Sequence, residues 1–244
     1  MLRRFIKFSI LLLILSSPLQ SISAQGQVRV GGRYELRHQG NKEKETRPLS
    51  TDLFIERTRR LIEDVRAASY PELEGADIEV KTFNHEADYF RTGFSFSRLL
   101  LIRKMRFIIK VNPKVFELGA PEEALRAIIA HELGHVLYFK NRNRTRLFGL
   151  VRLISKAYTA RFERWTDLQA ISRGYSEGLK AYREWLYKNI PVRKLEEKRR
   201  NYFSPEEIDA LKIGIARRPG LLDYWFKNVP RNLKQIEEQS KSRK

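Results

Sequence analysis

From its N-terminus the chain alternates polar stretches with apolar runs whose spacing predicts where helix and strand lie. Arg3, Arg4 and Lys7 precede the apolar run Phe8 to Leu15, then Pro18 and a small-residue end at Ser23-Ala24. That run is too short to cross a bilayer comfortably, so residues 1–24 read as a cleaved secretory signal. Residues 25–49 are polar and turn-rich and read as a mobile arm. From Ser50 or Thr51 as cap, Leu53, Ile55, Leu61, Ile62 and Val65 mark an amphipathic helix to about Ser69. Asp77 to Phe83 alternates as a half-buried strand, Phe94 to Ile102 reads as a second, and Met105 to Val111 as a third, ended by Asn112-Pro113.

The next run is helical and apolar on more than one face, through Leu125, Ile128, Ile129, Leu133, Val136 and Leu137, which predicts a helix buried between layers. Pro121 suits its first position, and Glu122 and Glu123 place negative charge where the helix dipole favours it. After a basic loop, Leu147 to Ile154 opens helix that continues in pieces to Arg173, with Gly174 as the stop. Ser176 caps another, whose Leu179, Tyr182, Trp185 and Leu186 share a face. Residues 192–201 are charged and read as a linker. Ser204-Pro205-Glu206-Glu207 starts a terminal helical unit interrupted at Pro219-Gly220, and Glu237 to Lys244 should fray. The fold class is α+β: a small mixed or antiparallel sheet on the helix that starts at Pro121, followed by a mostly helical C-terminal half. The main domain spans 50–190, with 191–244 as a basic linker and helical unit packing on it.

Charge narrows the partners. Lys and Arg number 48 against 29 Asp and Glu, and removing the signal leaves a mature chain at +16. Such a field favours an anionic membrane surface or envelope polymer. Nucleic acid is disfavoured, because there is no Gly-rich phosphate cradle, zinc-finger spacing or aromatic nucleic-acid signature. The chain has no cysteine, so neither a disulfide nor lipoprotein attachment is available.

The chemistry concentrates in Ala130-His131-Glu132-Leu133-Gly134-His135-Val136. Four residues turn an α-helix by about 400°, so His131 and His135 stand on one face and reach one ion, with Glu132 about 100° round, beside the ion as a general base. Gly134 costs about 1 kcal/mol in such a helix and predicts close approach of a neighbour. No histidine follows His135, and Tyr138 and Asn141 stand where the metzincin pattern needs Gly and His. A carboxylate must complete the site. Glu163 and Asp167 lie four apart in a helical pattern, one able to ligate and the other to accept an N–H from a ligating imidazole. A solvated acidic pair salt-bridged to Arg161 or Arg164 is the alternative.

These residues resemble the gluzincin metallopeptidases, and most closely the branch of prenyl-protein endopeptidases and soluble minigluzincins. There an Ala-His-Glu-Leu-Gly-His-Val helix precedes Glu-x-x-x-Asp-x-x-Ala and Gly, matched by Glu163, Asp167, Ala170 and Gly174. The resemblance covers roughly residues 100–175. It implies a zincin-like fold, one zinc per chain on His131, His135 and Glu163, Glu132 as base, Asp167 behind the ligands, and a peptide or protein substrate. That branch supplies a downstream histidine to stabilise the transition state; with none here, Tyr202 and Tyr182 are the substitutes considered. Arg106, Ile108 and Lys110 lie on the strand expected to pair, as a sheet edge, with an extended substrate. The expectation is a secreted or periplasmic zinc endopeptidase. Its rivals are a non-catalytic zinc-containing envelope protein and a cationic surface-binding module without metal.

Overall fold

The computed structural model describes residues 49–95, 97–98, 103–143 and 156–241. The secretory signal, nearly all of the arm, most of the expected strand 94–102 and the apolar start 147–154 lie outside them. Helix α1 runs Leu49–Ser69. Ser50 and Thr51 therefore fall within its first turn rather than capping it. Strands β1 (Asp77–Thr82), β2 (Phe90–Phe94) and β3 (Arg106–Val111) form a mixed sheet in the order β1-β3-β2, with β1 parallel and β2 antiparallel to β3.

Two expectations change here. β2 ends at Phe94, where the predicted strand 94–102 was to begin, and residues 97–98 are helical; the strand comes earlier because the polar stretch ahead of it closes quickly, His85 Nδ1 accepting the main-chain N–H groups of Ala87 and Asp88. β3 is the central strand, so Arg106, Ile108 and Lys110 do not form an exposed edge. Phe107, Ile109 and Val111 are almost wholly buried, and the most apolar strand takes the position paired on both sides. Order along the chain does not reveal that.

Beyond β3 come the short α2 (Lys114–Glu117) and the central α3 (Glu122–Lys140), with Pro121 as N-cap rather than first helical residue. Then follow α4 (Lys156–Ser172) and α5 (Ser176–Asn189). Gly174, at φ 90°, breaks the chain between them where an L side chain would be strained. Ser176 is the first residue of α5; Tyr175 occupies the cap without a side-chain bond. Residues 192–201, expected as linker, form α6 (Val192–Asn201). Its sequence shows no apolar stripe because the face it turns inward, Lys194, Leu195, Lys198 and Asn201, is only half-buried and mostly polar; Lys, Glu and Arg favour helix regardless.

Three more helices complete the chain: α7 (Pro205–Arg217), α8 (Leu221–Lys227) and α9 (Leu233–Lys241). At the expected helix start, Ser204 and Glu207 form a reciprocal capping box. The last helix is anchored where fraying was expected, since Ile236 is buried and Trp225 Nε1 donates to Gln239 Oε1 at 2.8 Å. One apolar core lies between α1, the sheet, α3 and α5. A second joins Ala127, Leu168 and Leu179 to Phe203, Ile208, Leu211 and Trp225, so the C-terminal helices complete the interior beneath α3 and α4. Among the described residues no helix is long and apolar enough to cross a membrane.

Candidate metal centre

His131, Glu132 and His135 are all buried on α3. What brings α4 to them is Gly134, where an added Cβ would stand 2.9 Å from Thr166 Cγ2 and 3.3 Å from Gln169 Cβ. The glycine lets the helices nearly touch, as its place in the motif predicted, and Glu163 arrives opposite the histidines. His131 Nε2 and His135 Nε2 are 3.1 Å apart, and each lies 3.2 Å from Glu163 Oε2. These three are the residues among those described whose donor atoms converge closely enough for one cation.

The donor set fits zinc. A near-equilateral triangle of this size leaves a tetrahedral centre about 2 Å from each corner, the length of Zn–N and Zn–O bonds. The imidazoles are also held in the correct tautomer. The Asp167 carboxylate can only accept, so His131 donates its Nδ1–H to Asp167 Oδ1 at 2.7 Å, which turns Nε2 to the centre. Thr166 donates its hydroxyl to the Phe162 carbonyl at 2.9 Å and offers its oxygen to His135 Nδ1 at 3.4 Å. Two lone pairs and a carboxylate thus face one point, which favours a cation there. Burial works against charge on His131, but its bonds to Asp167 and Glu163 outweigh this and push it up to about 9. Burial would raise Glu163; His135 and His131 outweigh it and hold the carboxyl well below the usual range.

Asp167 is braced in turn by residues that sequence reasoning missed. Arg183 Nη2 donates to Asp167 Oδ1 at 2.7 Å, and the Phe203 main-chain N–H to Oδ2 at 3.0 Å. Burial raises the Asp167 carboxyl, Arg183 and His131 pull it down, and the net effect is a lowered value. Arg183 left a signal in the sequence: it interrupts the apolar face of Leu179, Tyr182 and Leu186, and a charge on a buried face needs a buried partner. Phe203 acts through its backbone and left none. Arg164, considered as a surface partner for Glu163 or Asp167, instead points inward to Glu207 Oε1 at 2.9 Å.

Glu132 is 4 % exposed, and its Oε2 has no hydrogen-bond partner among the described residues. The Tyr202 ring lies 5.9 Å from that of His131, beneath the Arg183 guanidinium at 4.5 Å. Burial, and to a lesser degree Glu163, raise the Tyr202 hydroxyl well above its ordinary value, so it stays a donor. Tyr182 is a core residue stacked near Trp185. The strand beside the site is β2: the Thr92 hydroxyl donates to the Glu132 carbonyl at 3.4 Å and Phe94 packs edge-on to Phe139. Asn112 N–H bonds Tyr89 O and Ser95 N–H bonds Arg106 O, so odd-numbered residues of β2 turn their main-chain groups to β3. Phe90, Thr92 and Phe94 turn theirs outward, where no strand lies among the described residues. Compared with known proteins, the chain matches no family model, no curated protein and no solved structure.

Proposed function

We propose that the protein is an exported, zincin-like peptidase of gluzincin type that hydrolyses peptide bonds with one zinc ion held by His131, His135 and Glu163. The observation that carries this reading is the pairing of the 3.1–3.2 Å donor triangle with a buried, unpartnered carboxylate oxygen on Glu132. A structural metal site has no need of such an oxygen. Zinc bound there supplies a Lewis acid that polarises a carbonyl and acidifies water. Glu132 takes the proton of the attacking water and delivers it to the departing amine. The Tyr202 hydroxyl donates to the oxyanion, in the role that the missing histidine leaves open. Asp167, braced by Arg183 and Phe203, holds the Nδ1–H of His131 and so fixes the ring with Nε2 aimed at the centre. β2, in place of the central β3, offers its outward main-chain groups to an extended peptide. The positive balance of the mature chain and its signal-like start support work at an anionic membrane surface or on an envelope polymer.

Metal analysis of the full chain tests the first half: one zinc per wild-type chain, and a large loss with Glu163→Ala. Peptide hydrolysis that follows zinc content and disappears with Glu132→Gln tests the second.

A further inference from the structure

We propose that the site trims the C-terminal ends of peptides, releasing the last one or two residues, because the cleft is walled off on the side that receives the departing part of the substrate. This rests on the peptidase reading above. Polarity comes first. A peptide added to the outward edge of β2 forms the more stable ladder when it runs antiparallel to that strand, so its carboxyl-terminal part points towards Phe90 and the turn before it. Thr92, bonded to the Glu132 carbonyl, sets the level of the reacting bond. From Thr92 to Phe90 is roughly 7 Å of strand, room for about two residues.

Past Phe90 the way is closed. Glu86 pairs with Arg193 and, at 3.9 Å, with Lys194, while Asp88 pairs with Lys198. All three cations belong to α6, so the turn before β2 is tied across to that helix. Tyr89 adds a deeper anchor: its hydroxyl donates to the Asn189 carbonyl at 2.8 Å and its ring stands edge-on to Trp185 at 4.8 Å. The wall continues to the metal centre, since Lys198 Nζ lies 5.3 Å from the Tyr202 ring that flanks His131. Exposed ion pairs alone would fray. Here the Lys198 side chain is only 12 % exposed, and Tyr89 is buried against α5. Because Arg193, Lys194 and Lys198 are paired with Glu86 and Asp88, the wall selects an end by blocking the path rather than by its charge.

The test uses the zinc-loaded full chain and N-acetylated peptides of roughly ten residues, long enough to fill an edge-strand cleft. Products are read by mass spectrometry. The expected products lack one or two C-terminal residues and form roughly a hundredfold faster than internal cuts, while head-to-tail cyclic versions stay intact. Glu86→Ala with Asp88→Ala should loosen the wall and raise internal cutting by about tenfold while trimming continues. Internal cuts by the native chain at rates equal to trimming, or hydrolysis of the cyclic peptides, would overturn the inference and leave the peptidase reading standing. An absence of any Glu132-dependent hydrolysis would overturn both.

Discussion

A carboxylate oxygen buried without a partner, as Glu132 Oε2 is, destabilises the fold and persists where chemistry needs it. Glu132→Gln should keep its zinc, lose about three orders of magnitude or more in hydrolysis, and melt at the same temperature or higher. Metal analysis, rate and thermal melt on one preparation check all three. Tyr202→Phe removes a donor that acts on developing charge, so kcat should fall about tenfold to a hundredfold with KM nearly unchanged. Arg183→Met strips Asp167 of its buried cation. Zinc affinity, measured by chelator competition, should weaken about tenfold to a hundredfold, through a residue that touches no ligand.

At the scale of the element, the centre depends on how closely α3 and α4 pack. Gly134→Ala would place a methyl against the branched end of Thr166, which is wholly buried and held by its bond to the Phe162 carbonyl. The helices must part, taking Glu163 from the histidines, so zinc affinity should fall further than the about 1–3 kcal/mol of lost stability accounts for. Gly178 is stricter still: a Cβ there would stand 2.3 Å from the Glu123 carbonyl, where α5 crosses α3. What could be read in advance follows from what each feature depends on. That His131 shares a face with His135, and Glu163 with Asp167, was legible because helical spacing decides it; that the two faces meet was suggested only by Gly134 and by the resemblance. Strand order, the position of β2 and helix α6 were not legible. Pairing partners of a strand lie far away in sequence, and a helix whose inward face is half-buried and mostly polar carries no apolar period. Arg183 was half legible, since its place in an apolar stripe announces a buried partner without saying which.

Over the whole molecule, charge ties distant segments to the cleft. Burial would raise the Asp88 carboxyl, but Lys198 and Arg91 outweigh it and hold it below the usual range. Its stabilising contribution is therefore complete above the unfolded value near 3.9 and is lost as pH falls through the folded one. Melting temperature should hold level at mild pH and drop below about pH 4, with a shallower drop for Asp88→Asn; a scan between about pH 3 and 7 checks this. The second core and the Arg164–Glu207 pair tie the other end of the chain to α4, for Arg164 also donates to the carbonyls of Arg199 and Arg200. Asp167 waits on the Phe203 amide to be fully satisfied. A growing polypeptide that carries both histidines and both α4 carboxylates still lacks the segment that steadies them. On the proposed reading, hydrolytic power would thus come only once the chain is made past Phe203, and a fragment ending before it would hold every ligand and stay idle.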